Sequence, residues 1–145
     1  MADHAIETWN KTGLISLWHY EDFPKSYCGY HLTADPKGCV FLLGLMERFR
    51  NAVHPARKRI ILDAPTAGML AVPNCPRKCV PAESVEFRFR RDMAGHHWSV
   101  IEKDREVRIE MGSDGLADLE RGAKDMIVGV GDWSIGTGRE SLWFW

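Results

Sequence analysis

Ser84-Val-Glu-Phe-Arg-Phe-Arg-Arg91 and Glu106-Val-Arg-Ile-Glu-Met111 decide the fold class of this chain. Successive side chains of a β-strand point to opposite faces. Val85, Phe87 and Phe89 therefore share one side of the first stretch, with Glu86, Arg88 and Arg90 on the other. Val107, Ile109 and Met111 alternate with Glu106, Arg108 and Glu110 in the same way. Such a pattern marks strands with one buried and one solvated face, the habit of antiparallel sheets. His96–Glu102 lies between them, and the polar turn Lys103-Asp104-Arg105 joins it to the last strand, so a β-meander is expected.

Outward from this centre, Leu14–Tyr20 reads as a first strand and Arg59–Leu62 as a short one. Between them, Asp35 offers an N-cap oxygen and Pro36 a first helical position where the missing N–H costs nothing. Val40, Leu42, Leu43, Leu45, Met46, Phe49 and Val53 give a broad apolar face, so a helix from about Pro36 to Val53 is expected, stopped by His54-Pro55. Ser113 is the expected cap of a second helix carrying Leu116, Leu119, Ala123 and Met126 on one side. Trp133–Ile135 and Leu142–Trp145 flank Gly136-Thr-Gly138, whose glycines tolerate positive φ, and so predict a closing β-hairpin. Within it, Leu142 and Phe144 share one face, and Trp143 and Trp145 the other.

The whole reads as one α+β domain over residues 1–145: a mostly antiparallel sheet, two helices on one face, and a C-terminal hairpin. At 145 residues the chain is long enough to bury a substantial core. Its 45% hydrophobic and 27% charged composition is that of an ordinary globular protein. A net charge of −1 argues against a general nucleic-acid binder, since Arg57-Lys58-Arg59 and Arg88–Arg91 are balanced by nearby acids. No targeting segment and no membrane-spanning run is expected, and four irregularly spaced cysteines do not suggest a disulfide framework. A cytoplasmic protein follows as the expectation.

Several local motifs invite chemistry and lack its context. Cys75-Pro-Arg-Lys-Cys79 places two thiols beside Arg77 and Lys78, which should lower their pKa values. Its spacing is one residue longer than a zinc knuckle and no second pair lies close by, so no metal is expected. His96 and His97, if extended, point to opposite faces and cannot share one ion. Ser134 lacks a nucleophile elbow, and Gly129-Val-Gly131 and Gly136-Thr-Gly138 lack the following helix of a phosphate loop. Asp63 and Asp132 read as turn-forming acids. No catalytic residues and no cofactor are expected.

Glu21–Thr33 reads as a loop rich in Phe23, Tyr27, Tyr30 and His31, close to Trp18 and Tyr20. Such residues are enriched at binding surfaces, so these four are the candidate partner-contact residues; the alternative is a buried aromatic cluster beneath the loop. The expected function is a small protein-binding module, of accessory, inhibitor or toxin-neutralising type, whose partner is another protein rather than nucleic acid or membrane. The competing expectation is a small-molecule enzyme or ligand-binding domain with its pocket between the 63–83 loop and the sheet.

Overall fold

The computed structural model describes residues 6, 10–21, 28–52, 55–65, 79–129 and 133–144. Its strands are β1 (Ile15–Tyr20), β2 (Tyr30–Ala34), β3 (Ala56–Ile61), β4 (Cys79–Pro81), β5 (Ser84–Phe89), β6 (Trp98–Lys103), β7 (Glu106–Met111), β8 (Trp133–Ile135) and β9 (Leu142–Phe144). Its long helices are α1 (Pro36–Asn51) and α2 (Ser113–Ile127), and a 3₁₀ turn spans Gly138–Glu140. The fold is α+β, with two mixed sheets of mostly antiparallel strands: a five-stranded sheet ordered β4-β1-β2-β9-β8 and a four-stranded sheet ordered β3-β5-β7-β6. One sheet was expected; two form, and the chain crosses between them four times: through α1 after β2, after β3, after β4, and through α2 after β7.

The crossings after β3 and after β4 are held by hydrogen bonds. Asp63 N–H donates to the Ile15 carbonyl, while one Asp63 carboxylate oxygen accepts from Ile15 N–H and from the Lys11 ammonium. Burial alone would raise the Asp63 pKa, but these donors carry it below its usual range. The sequence suggested a locally turn-forming acid; the Asp63 carboxylate instead joins the end of β3 to the start of β1 and to Lys11. Leu62 N–H donates to Glu83 O, and Ala82 N–H to Leu17 O, so the β4–β5 connection touches both sheets.

The helices form where capping and patterning specify them. Asp35 accepts from Gly38 N–H at 2.7 Å and from Leu14 N–H at 2.9 Å, which fixes the start of α1 beside β1. Phe41, Leu42, Leu45, Met46 and Phe49 are buried, whereas Val40, expected inward, faces solvent. Helix α2 buries Leu116, Leu119 and Ala123, with Met126 packed at the margin of the core. Its cap is Gly112, one residue before the expected Ser113; Gly112 sits so close to Ala94 that a Cβ there would lie 2.3 Å from the Ala94 carbonyl oxygen. The helices pack on each other, and Arg50 pairs with Glu120 across them.

The expected meander is replaced by a crossover. β5 pairs with β7 in parallel from Ser84↔Glu106 to Phe89↔Met111, and β6 lies outside β7 as its antiparallel hairpin partner. The β6–β7 turn consists of Asp104 and Arg105 at φ 54° and 65°, the mirror-image turn that matches strand twist. His96 and His97 lie ahead of β6 rather than in it; His97 N–H closes a turn onto Ala94 O.

The closing hairpin forms as expected, with Gly136 and Gly138 at positive φ and β8 antiparallel to β9. β9 also pairs in parallel with β2, from Tyr30↔Leu142 to Leu32↔Phe144, and so becomes an interior strand. Leu142 and Phe144 are fully buried, and the Phe144 ring lies on Gly122 of α2. Trp143 donates its indole N–H to Cys28 O; Trp145 and Asp132 lie outside the described residues.

Candidate functional site

The proposed contact residues separate once placed. Phe23 and Tyr27 lie outside the described residues. Tyr30 and His31 are not in an exposed loop but in β2, with 5% and 0% exposure. The reason is tertiary: β2 is paired by β1 on one edge and by β9 on the other, and neither neighbour is adjacent in sequence on the β9 side. Tyr30 faces the main core, and His31 the opposite side of the sheet. There His31 stacks on Trp18 at 5.6 Å and meets Tyr20 edge-on at 4.9 Å. Both are buried, as the rival expectation has it, but on the two faces of a strand rather than in one cluster beneath a loop. The Trp18 indole N–H is buried without an acceptor among the described residues.

Tyr30 belongs to a seam between the sheets. Its hydroxyl donates to Glu102 on β6 at 2.8 Å, and His19 Nε2 lies 3.6 Å from the same carboxylate oxygen. His19 Nδ1 is 3.0 Å from Tyr20 O, a carbonyl that can only accept, so this nitrogen carries the proton. Burial, then the Glu102 carboxylate, pushes the Tyr30 phenol well above its ordinary range. The Tyr30–Glu102 bond joins β2 of one sheet to β6 of the other. The 3₁₀ turn reinforces it: Trp98 donates its indole N–H to Glu140 O, and Val100 N–H donates to the Glu140 carboxylate. That carboxylate covers part of the free edge of β6.

The thiol motif also resolves on one side. Cys79 lies in β4, and burial pushes its thiol upward rather than down, contrary to the expectation from neighbouring cations. Cys75 and the centre of the 63–83 loop, with the pocket anticipated there, lie outside the described residues. Cys28, Cys39 and Cys79 are free thiols. Among the described residues no cluster of three His, Cys, Asp or Glu side chains is arranged to hold a metal. No helix among them is long and apolar enough to cross a membrane.

Among the described residues, no element covers the outer face of the four-stranded sheet. Alternation sends Ala56, Ile60, Val85, Phe87, Phe89, Val107, Ile109 and Met111 into the core. Arg57, Arg59 and Ile61 of β3 must then face outward, as must Glu86 and Arg88, Arg108 and Glu110, and Ile101 and Lys103. A concavity of about 490 Å³ crosses this face, lined by Arg59, Glu86, Ile101, Lys103, Glu106 and Arg108. Its carboxylates are engaged: Glu106 with Arg59, Glu86 with Arg88, and Glu110 with His97 at 2.9 Å. Arg57, Lys103 and Arg108 have no ion-pair partner among the described residues. Ile61 and Ile101, 64% and 56% exposed, stand at the two edges of the same face.

Arg57, Arg59 and Arg88 lay in basic runs read from sequence as solvated faces, Arg108 at a polar position of an alternating strand, and Lys103 in a turn. The signal for them was the strand alternation itself, but alternation gives no measure of which charges neutralise each other. Comparison with protein-family models, curated proteins and solved structures yields no match to this chain.

Proposed function

We propose that this chain is a cytoplasmic protein-binding module whose contact surface is the outer face of the β3-β5-β7-β6 sheet. The observation that carries the reading is the surplus of cations with no ion-pair partner among the described residues, Arg57, Lys103 and Arg108, between two exposed isoleucines. A chain of net charge −1 that concentrates cations on one uncovered face favours an acidic protein surface. Arginine beside exposed aliphatic area is a composition suited to interface hot spots. The three free thiols support a reducing compartment. Tyr30 and His31 act in this reading as supports beneath the sheets, not as contacts.

Affinity capture from the native lysate, followed by mass spectrometry, tests it. The unaltered chain should retain a stoichiometric acidic protein. The double variant Lys103→Glu/Arg108→Glu should bind it at least roughly thirtyfold more weakly, as expected for loss of about 2 kcal/mol, with an unchanged melting temperature. Equal capture by the double variant would refute the assignment of this face.

A further inference from the structure

Among the described residues the outer face ends at the unpaired edge of β3, and the edge has a recognisable chemistry. Arg90 N–H donates to Met111 O, so the even-numbered residues of β5 turn their backbone groups toward β7. The odd-numbered residues Val85, Phe87 and Phe89 therefore bond to β3, where their partners are Ile60, Lys58 and Ala56. Leu62 N–H, donated to Glu83 O, continues that series. The N–H and C=O groups of Arg57, Arg59 and Ile61 must point away from the sheet. Asp63 N–H, next in the outward series, is taken by Ile15 O. Among the described residues nothing pairs the backbone of the three that precede it.

We infer that the open edge of β3 is a strand-addition site for an extended acidic segment of a partner protein. This rests on the reading of the adjoining sheet face as a protein-contact surface, and it names the binding mode and the partner's chemistry. Backbone groups of an edge strand form a ready template for one more strand, and charged side chains along it decide which strand is admitted. Here Arg57 stands directly opposite Arg88 in the register, a like-charged pair that costs stability. Arg88 is already paired with Glu86, whereas Arg57 has no ion-pair partner among the described residues. An incoming carboxylate beside Arg57 relieves that repulsion, and a second faces Arg59. A second copy of this chain fits poorly. Antiparallel self-pairing centred on Arg59 sets Arg59 against Arg59, and parallel in-register pairing sets every arginine against itself. The partner strand is thus acidic on the side it shares with Arg57 and Arg59, and apolar on the side that continues the core at Ile60.

The test uses the full chain and a short end-capped peptide alternating Glu and Val, with a Lys/Val peptide of equal length as comparison. Amide hydrogen exchange is followed by NMR. The Glu/Val peptide should slow exchange at Arg57, Arg59 and Ile61 at least tenfold, and the Lys/Val peptide should leave them unchanged. Arg57→Pro with Ile61→Pro removes two outward N–H groups without touching the ladder to β5, since proline is tolerated at edge positions whose N–H faces solvent. That variant should lose the peptide. Arg57→Glu keeps the whole backbone and should instead favour the Lys/Val peptide, which preserves the test if the proline variant does not fold. Absence of slowing at peptide saturation, equal response to both peptides, or undiminished binding by the folded proline variant would overturn the inference. Responses confined to Ile101, Lys103 and Arg108 would also overturn it, while leaving the face reading intact. Conversely, edge protection together with partner capture that survives Lys103→Glu/Arg108→Glu would retain the edge and remove the face.

Discussion

Asp35 shows how much one side chain settles locally. Its carboxylate accepts from Leu14 and Gly38 backbone N–H groups, and these bonds hold its pKa below the usual carboxylate value. Asp35→Ala should destabilise the protein by about 1 kcal/mol at neutral pH, the typical loss for an N-cap. A carboxyl whose folded pKa is depressed stabilises above its unfolded pKa and loses that stabilisation as pH falls through the folded value. The gap between wild type and Asp35→Ala should therefore close on acidification below about pH 4, as measured by urea unfolding across pH. Asp35→Asn, which caps comparably, should keep most of the stability and lack this component of the pH dependence. The cap was legible from Asp35-Pro36 alone, because N-capping is decided within a few residues of chain. Gly112 was not legible as a cap, because its place depends on the close approach of Ala94.

At the level of elements, the last strand carries the largest consequence. β9 lies between β2 and β8 and presses Phe144 onto Gly122 of α2, where a Cβ would stand 2.4 Å from the ring. Removing residues 142–145 should abolish cooperative thermal unfolding and near-ultraviolet circular dichroism. Gly122→Ala sets two effects in opposition. Alanine in a helix interior gains about 1 kcal/mol over glycine, while the new methyl collides with a ring that has no solvent to retreat into. The collision should win and lower the melting temperature. Gly122→Ala combined with Phe144→Leu should recover part of the loss. A rise in melting temperature for Gly122→Ala alone would show that Phe144 can move. The pairing within the hairpin was readable from two apolar runs around glycines. The parallel pairing to β2 was not, because its partner strand lies more than a hundred residues earlier in a segment that reads as a loop.

Across the molecule, the Tyr30–Glu102 bond ties the five-stranded sheet to the four-stranded one. Tyr30→Phe should cost about 1 kcal/mol, the usual net value of such a bond. Combined with Glu102→Gln in a double-mutant cycle, it should show a coupling of at least about 0.5 kcal/mol. Burial and the neighbouring carboxylate should also hold Tyr30 un-ionised above the ordinary phenol range in an ultraviolet absorbance titration, so Tyr30→Phe should leave the part of the curve near pH 10 unchanged. Additive mutations would place the join between the sheets elsewhere. The seam explains why Tyr30 is unsuited to partner contact: its ring fills the core and its hydroxyl is already committed.

The chain's own sequence determined what short-range physics can determine. Alternation specified β5 and β7, the Asp35-Pro36 start and apolar periodicity specified α1, and paired glycines specified the final turn. Together these required the α+β class. Tertiary structure alone decided the division into two sheets, the strand character of Tyr30–Ala34 and Cys79–Pro81, and the parallel pairings of β2 with β9 and β5 with β7. Those short strands owe their shape to neighbours distant in sequence, whose hydrogen bonds carry no local signature. The candidate site divides along the same line. That Arg57, Arg59 and Arg108 face outward follows from alternation, but that, among the described residues, Arg57 and Arg108 lack an ion-pair partner and the outer edge of β3 lacks a pairing strand follows only from which strands become neighbours.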